Sequence, residues 1–372
     1  MEYKRLGDIA TYVNGYPFKP EDRGLTGLPI IRIQDLTGNS YDLGFYNGNY
    51  PERIEINDGD VLISWSASLG VYIWNKGKAL LNQHIFKVAF DKCEVNKQFF
   101  VYAVQYKLQE MGAKAHGATM KHIVKKDFDD TAIPFPALEE QEKIAQTMNR
   151  ISRIISDRQQ QLQKLDELVK ARFVEMFGDP VYNSKRLPIQ RLCKLGSLDR
   201  GRSQHRPRND PKLLNGPYPL IQTGEVASAG LYITKYKNTY SELGLRQSKM
   251  WSAGTLCITI AANIAQTAIL TFDACFPDSV VGFLPNDSIN AIYMHYWFGF
   301  FQKILEKQAP QVAQKNINLK ILSELNVIVP TREKQEQFAA FVEQTDKSKV
   351  AIQKALDEAQ LLFGSLMQKY FG

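Results

Sequence analysis

The chain has 372 residues, of which 44% are hydrophobic and 23% are charged. This composition excludes a disordered or fibrous protein and is typical of a soluble globular chain with two or three domains. The formal net charge of +7 favours an acidic partner such as nucleic acid, although charge alone fits a mildly basic protein without one equally well.

Neither the cysteines nor the N-terminus indicates an exported or membrane protein. The four cysteines lack CxxC or Cys/His metal spacing and are typical of buried thiols in a reducing cytoplasm. No apolar signal segment occurs near the start. Residues 250–272 carry no charge and are long enough to span a bilayer, but their Thr, Asn and Gln side chains favour two buried strands. We therefore expect a cytoplasmic protein without a membrane segment.

Residues 1–137 predict a first strand-rich domain. Short β-branched runs at 60–64 and 85–89 lie between Gly, Asn and Asp turns, and a helix is expected near 98–110. Side chains that could contact DNA lie in or beside the predicted turns; they are Tyr16, Lys19, Ser66, Lys76, Lys78, His116 and Lys121.

Residues 138–178 predict a long helix with a heptad repeat. The apolar positions recur at alternating steps of three and four residues, and Gly178 with Pro180 marks the end of the pattern. We expect this seam to be formed by Ile144, Met148, Ile155, Arg158, Leu162, Leu165 and Val169. A helix of this length spans about 58 Å.

Residues 179–330 predict a second strand-rich domain, which begins with a short linker at 179–184. Between residues 183 and 212 there are nine basic residues and two acidic ones, an excess as large as that of the whole chain. Arg, Gln and Asn can pair with base edges, and Arg and Lys also contact phosphates. The candidate DNA-binding residues here are Arg200, Arg202, Gln204, His205, Arg206 and Arg208, with Lys235 and Lys237 farther along. The alternative is a solvated loop whose charges serve solubility.

Residues 331–372 predict a second long helix, which repeats the first at a constant shift of 194 residues. Its seam is expected at Ile352, Leu356, Phe363 and Leu366. Polar Arg158 of the first helix corresponds to apolar Ile352 of the second. Such complementary interruptions favour pairing of the two helices with each other, and a two-fold duplication would make the pair antiparallel. The alternative is two separate amphipathic core helices.

The strand-rich domains are also related to each other, but less regularly. The predicted strands at 29–33 and 219–222 correspond at a shift of 190, whereas Gly59 and Gly254 correspond at 195. A duplicated unit with loops of different length explains both values. Searches for dinucleotide, P-loop, zinc-protease and nucleophile-elbow motifs find none. The sequence at 179–182 superficially resembles a methyltransferase loop, but its position after a helix favours a simple helix stop.

The order of these features resembles the specificity (S) subunit of type I restriction-modification systems, the HsdS family. The resemblance rests on 136–145 and 330–339, which share a Pro-x-x-x-x-Gln-Glu start, on Met176-Phe-Gly-Asp-Pro180, and on the opening at 4–9. Asn316 matches a position late in each domain of that family, whereas the first domain has His122 there.

The resemblance implies an α+β fold, with two target recognition domains separated by a pair of long antiparallel coiled-coil helices. Each domain would read half of a split double-stranded DNA sequence, and the helices would set the spacer and bind two methyltransferase (M) subunits. S-adenosylmethionine would belong to the M subunits, and ATP and Mg²⁺ to motor-nuclease (R) subunits, so this chain is expected to be non-catalytic, without a cofactor. The alternatives are a stand-alone methyltransferase or nuclease, and a coiled-coil adaptor that does not bind DNA.

Overall fold

The structure, a computed structural model, describes residues 2–39, 42–114, 123–205, 207–261, 264–301, 303–304 and 317–372. Five residues singled out from the sequence lie outside this part of the chain; they are His116, Lys121, His122, Arg206 and Asn316. Among the described residues, no helix is both long enough and apolar enough to cross a membrane. The segment 250–272 contributes short strands instead, as its β-branched residues predict.

The chain forms two compact units, and their boundaries fall inside the two long helices. The first unit comprises Met1–Gln159 and Lys354–Gly372, and the second comprises Gln160–Gln353. Each unit therefore contains one strand-rich domain and a part of both long helices. The predicted α+β fold class is confirmed.

Ten α-helices are named here in chain order. They are α1 (Leu6–Ile9), α2 (Ile33–Thr37), α3 (Lys97–Lys114), α4 (Lys125–Asp129), α5 (Leu138–Phe177), α6 (Thr223–Ser228), α7 (Glu242–Arg246), α8 (Ala291–Phe298), α9 (Leu319–Glu324) and α10 (Arg332–Phe371). The long helices α5 and α10 each contain 40 residues.

The first unit contains one two-stranded sheet and two four-stranded sheets. Its strands are β1 (Tyr3–Arg5), β2 (Thr11–Asn14), β3 (Leu28–Ile31), β4 (Phe45–Tyr46), β5 (Glu55–Ile56), β6 (Val61–Ser64), β7 (Gly70–Ile73), β8 (Ala79–Leu81), β9 (Ile85–Ala89) and β10 (Ala132–Pro134). The strand orders are β1-β10, β2-β9-β6-β7 and β4-β3-β8-β5, and only the β3–β8 pair is parallel among these described strands.

The second unit repeats this topology and adds one strand. Its strands are β11 (Ile189–Arg191), β12 (Gly196–Arg200), β13 (Leu214–Leu220), β14 (Tyr232–Ile233), β15 (Asn238–Tyr240), β16 (Met250–Trp251), β17 (Leu256–Thr259), β18 (Thr267–Leu270), β19 (Ala274–Cys275), β20 (Val280–Pro285) and β21 (Asn326–Ile328). The orders β11-β21, β12-β20-β17-β18-β14 and β15-β13-β19-β16 match those of the first unit. The duplication seen in the sequence is therefore a duplication of the whole domain fold.

Two predicted strands end earlier than the sequence suggested. The strand expected at 29–33 ends at Ile31, and the one expected at 219–222 ends at Leu220. In both copies a short helix follows at once, because an acidic side chain in its first turn accepts the backbone N–H of the residue before the helix. Asp35 accepts the Arg32 N–H at 2.8 Å. Glu225 accepts the Gln222 N–H at 3.2 Å. This reciprocal capping stabilises a turn of helix in a sequence otherwise typical of a strand.

In the first unit, the start of α5 packs against the end of α10. Met148 of α5 and Phe371 of α10 are both 0% exposed in one cluster with the domain core. The Phe371 and Phe99 ring centroids are 5.3 Å apart, so the last turn of the chain packs onto α3. The start of one helix meets the end of the other, which makes this helix pair antiparallel.

The second unit contains the reciprocal arrangement. Phe173 and Phe177, near the end of α5, pack with Phe338, near the start of α10. The Phe177 and Phe338 ring centroids are 5.5 Å apart, and Phe177 also meets Tyr293 of α8 at 5.0 Å. Lys349 of α10 forms an ion pair with Asp166 of α5 at 2.5 Å. The helix ends are thus part of the hydrophobic core of each domain.

The seam positions predicted from the heptad pattern are all buried or half-buried. The fully buried ones are Ile144, Met148, Val169 and Leu356. The half-buried ones are Ile155, Arg158, Leu162, Leu165, Ile352, Phe363 and Leu366. Their burial follows the spacing of three and four residues along both helices, which is the spacing of a coiled-coil seam.

A buried glutamine fastens each long helix to its own domain. Gln141 is 1% exposed and Gln335 is 0% exposed. The Gln141 side chain accepts the Asn96 N–H at 3.0 Å and donates to the Pro136 carbonyl at 2.8 Å. Gln335 repeats both bonds, with Asn290 at 2.8 Å and the Pro330 carbonyl at 2.8 Å. The Gln of the Pro-x-x-x-x-Gln-Glu motif therefore fixes where each helix leaves its domain, because an unpaired buried amide is costly.

We predict that Phe371→Ala destabilises the first unit although Phe371 is the penultimate residue. Removing a buried phenylalanine costs about 3–5 kcal/mol. Hydrogen exchange should show that α3 loses protection, whereas the protection of β17 in the second unit stays unchanged. Leu361→Ala is the matched control, because Leu361 lies in the same helix and is 75% exposed. Equal effects of the two substitutions would contradict the packing described here.

Candidate nucleic-acid interface

The same strand-to-loop junction occurs in both units. Strand β2 pairs with β9 up to Asn14, and the Gly15 N–H then donates to the Ile85 carbonyl at 3.1 Å. Strand β12 pairs with β20 up to Arg200, and the Gly201 N–H donates to the Val280 carbonyl at 2.9 Å. The loops that follow Gly15 and Gly201 are therefore equivalent.

Both junctions require glycine for close backbone approach. A Cβ atom on Gly15 would lie 2.0 Å from the Asn82 carbonyl oxygen. One on Gly201 would lie 2.3 Å from the Pro277 carbonyl oxygen. The loop in each unit passes directly over the segment that precedes the paired strand, so only glycine fits at this point.

In the second unit this loop is basic, and we call residues 200–210 the basic loop. Among the described residues, Asp278 binds two of its arginines. The Arg208 Nη2 atom donates to the Asp278 carboxylate at 2.6 Å, and the Arg200 Nε atom donates to the Asp278 carbonyl. The Asp278 side chain is 27% exposed, so the Arg208 bond is partly shielded from water. These two arginines are held in place on the protein surface.

The backbone of the basic loop is bound to the two residues that follow helix α7. The Gln247 Oε1 atom accepts the N–H groups of Gln204 at 2.6 Å and His205 at 3.0 Å. The Ser248 hydroxyl donates to the Arg202 carbonyl at 3.0 Å. These bonds order the middle of the loop while leaving the Arg202 and Gln204 side chains exposed.

Two further polar contacts lie in and beside the basic loop. Lys249 binds Asp199 at 2.8 Å and lies 4.0 Å from the Trp251 ring centroid, and the bond to Lys249 lowers the pKa of the Asp199 carboxyl. His205 lies 3.0 Å from the Asp210 carboxylate. The backbone N–H of Lys212 and the His205 bond together lower the pKa of Asp210. Both carboxylates are therefore charged at neutral pH and offset part of the positive charge of the loop.

The predicted basic residues beyond the loop are exposed. Lys235 and Lys237 lie between β14 and β15, on either side of Tyr236, which is 48% exposed. A pocket of about 480 Å³ opens beside the basic loop and is lined by Arg208 and Gln222, among other residues. The exposed cations and the polar side chains in this pocket provide phosphate and hydrogen-bond contacts of the kind that nucleic acid requires.

In the first unit the equivalent loop is aromatic. Tyr16 is half-buried and its ring lies 5.0 Å from that of Phe18, while Lys19 is exposed and lies 4.0 Å from Glu21. Among the described residues, the loop at 14–20 contains one cation, Lys19, where the second unit has several. The equivalent loops therefore present different chemistry on the same framework.

The other candidates of the first unit have different outcomes. Ser66 is only 5% exposed, so it lies inside the domain and is withdrawn as a DNA contact. Lys78 is bound to Glu55 at 2.9 Å, and this bond raises the pKa of Lys78. Lys76 is exposed and lies 5.8 Å from the Trp74 ring centroid. Of these two lysines, only Lys78 pairs with a carboxylate among the described residues.

Within the described residues, no three His, Cys, Asp or Glu side chains come together as metal ligands. Sequence reasoning did not identify Asp278 and Gln247, which shape the basic loop. Both residues are far from the basic loop in sequence. Asp278 is acidic and Gln247 is neutral, so a search for basic residues does not find them. The strand pairing of β12 with β20 is the signal that brings Asp278 to the loop.

A sequence profile described as the type I restriction modification DNA specificity domain matches residues 1–167 and again residues 192–360. The chain belongs to this family. As predicted from the sequence, it is a type I specificity subunit with two target recognition domains, one in each unit.

Similar proteins carry the same designation. The chain is 24% identical to the type I restriction enzyme EcoBI specificity subunit of Escherichia coli over 396 residues, which cover 98% of this chain and 83% of that protein. It is 25% identical to the type I restriction enzyme MjaVIII specificity subunit of Methanocaldococcus jannaschii over 186 residues, or 50% of this chain and 43% of that protein.

Solved structures of this family share the fold. The S subunit of a type I restriction-modification system from M. genitalium has a TM-score of 0.61 at 15% identity, covering 100% of this chain and 96% of that one. A chain from a study of complex assembly and conformational transition of the type I R-M system has a TM-score of 0.60 at 17% identity, covering 99% and 97%.

We predict that Gln247→Ala loosens the basic loop without unfolding the second unit. The Gln204 and His205 amides lose their acceptor, so their hydrogen exchange should accelerate by about tenfold, the equivalent of one hydrogen bond of about 1.4 kcal/mol. Amide exchange in β12 and β20 should stay unchanged. If the two loop amides exchange at the wild-type rate, Gln247 does not order the loop.

Proposed function

We propose that this specificity subunit reads a bipartite double-stranded DNA target, with one half bound by each recognition domain. The observation that carries this proposal is the repeated junction at Gly15 and Gly201. In each unit it places a loop at the same position of the fold, and the side chains of the two loops differ. Arg202 and Gln204 are exposed in one loop, and Tyr16 and Lys19 take the equivalent place in the other. Different side chains on matched supports favour the reading of two different sequences.

The second domain provides the more basic contact surface. Arg200 and Arg208 are held by Asp278, which suits them to phosphates whose position is fixed along the duplex. Arg202 is exposed beside them, and an arginine side chain can pair with both acceptors of a guanine edge. We therefore assign base reading to Arg202 and Gln204, and contacts to the DNA backbone to Arg200, Arg208, Lys235 and Lys237.

The long helices would set the unread spacer and bind two methyltransferase subunits. Leu168 of α5 and Leu362 of α10 are equivalent at the shift of 194 residues, and they are 49% and 51% exposed. An apolar side chain exposed at the same place in both copies offers the same contact twice. Two copies of one partner can therefore bind through one kind of interface.

The chemistry would belong to those partners. Methyltransferase subunits would bind S-adenosylmethionine and modify adenine, and motor-nuclease subunits would use ATP and Mg²⁺ for cleavage. The role of this chain is non-catalytic: it selects the site, and it has no cofactor of its own. The EcoBI relative is named as one specificity subunit of a restriction enzyme, which supports the same division of tasks.

Methylome sequencing of a host that co-expresses the chain with its methyltransferase subunits tests the proposal. The expected result is a single motif with two defined parts separated by a fixed number of unspecified bases. A continuous motif, or methylation by the chain alone, would favour a stand-alone methyltransferase. No motif and no DNA binding, with intact partner assembly, would favour a coiled-coil adaptor.

We predict that adding one heptad to both long helices lengthens the spacer and keeps both half-sites. The insertions belong after Gln159 in α5 and after Gln353 in α10, where the two units meet in sequence, so that the seam stays in register. Seven residues add about 10 Å of helix, or about three base pairs of DNA. Methylome sequencing reports the spacer directly.

Two outcomes of that experiment would count against the role of the helices. An unchanged spacer with wild-type half-sites would show that helix length does not set the distance. Altered half-site bases would show that the insertion disturbs the recognition domains themselves. Insertion in α5 alone is the control, because it puts the seam out of register and should abolish methylation.

A further inference from the structure

The basic loop contains an acidic contact that its DNA-binding role alone does not explain. Asp278 is two residues before β20, and it binds Arg208 through its carboxylate at 2.6 Å and Arg200 through its carbonyl. An acidic side chain in a surface that binds DNA repels phosphates, so it lowers affinity for every sequence. A favourable role must therefore come from what Asp278 does to the loop.

The first unit shows that this acid accompanies the arginines. The Gly15 bond to Ile85 and the Gly201 bond to Val280 align the two units. The residue two positions before the acceptor is Gln83 in the first unit and Asp278 in the second. Gln83 is exposed, and the loop beside it, residues 14–20, contains no arginine. The unit whose loop contains arginines has a carboxylate at this position, and the unit whose loop has none has an amide.

The bonds of Asp278 fix both ends of the basic loop. Arg200 is the last residue of β12, and Arg208 lies near the far end of the loop. Gln247 holds the backbone between them at Gln204 and His205. With its ends and its middle bound, the loop presents Arg202 from a restricted backbone, which reduces the entropy lost on binding.

We propose that Asp278 is a positioning residue for DNA reading by the second recognition domain. Its carboxylate costs a small loss of general affinity, but it orders the loop by fixing Arg208 for a phosphate contact, so that Arg202 meets the base edges. This inference rests on the proposed function, and it adds a residue that acts through the arginines and need not touch DNA.

The test compares DNA binding by wild-type and Asp278→Asn subunits, each assembled with methyltransferase subunits. Once methylome sequencing has given the target, the probes are that target and the same duplex with the half-site of the second domain scrambled. The measured quantity is the ratio of the two dissociation constants. We expect Asp278→Asn to reduce this discrimination by about tenfold or more, as for loss of one charged hydrogen bond. Binding to the scrambled duplex should stay the same or tighten.

A purely electrostatic role predicts a different pattern. The lost negative charge would then tighten binding to both duplexes equally, and an unchanged ratio would overturn the proposal. Asp287→Asn is the control, because Asp287 is exposed at the other end of β20 and makes the same change in charge. Its ratio should equal that of the wild type.

Two further measurements keep the result interpretable. Discrimination at the first half-site should be unchanged in Asp278→Asn, which shows that the complex is intact. If Asp278→Asn fails to fold, Arg208→Gln breaks the same bond from the other side, and an unchanged ratio there overturns the proposal. Absence of sequence-specific binding by the wild-type complex would instead contradict the proposed function, before Asp278 is tested.

Discussion

The structure depends on the reciprocal packing of the helix ends. Each domain core is completed by the end of one long helix and the start of the other: Phe371 lies in the first unit, and Phe177 packs against Phe338 in the second. Neither domain can bury its core with its own helix alone. This constraint explains why the shift between copies stays at 194 residues through both helices, while it varies within the domains.

Rigid attachment of the helices allows the loops to differ. Gln141 and Gln335 fix the helix starts with the same pair of hydrogen bonds, and Gly15 and Gly201 fix the same loop junctions. On this common framework, one unit has an aromatic loop and the other a basic one. Such a scaffold tolerates exchange of the loop side chains, because the contacts that hold it lie away from them.

The sequence predicted the long-range features well. Both helices follow from a repeat of three and four residues that extends over forty positions, and Gly178 with Pro180 marks the end of the first. The limits of β3 and β13 were not predicted, because capping by Asp35 and Glu225 favours helix where β-branched residues favour strand. Ser66 was misjudged because a polar residue after a strand gives no sign of its burial. Asp278 was missed because strand pairing, not sequence distance, brings it to Arg208.

The central claim is that each recognition domain reads its own half of the target. Photo-cross-linking tests it directly, with benzoylphenylalanine placed at Tyr16 in one assembled complex and at Arg202 in another. Cross-links are expected from position 16 in one half-site and from position 202 in the other, with none in the spacer from either. Cross-links from both positions to the same half-site would contradict it.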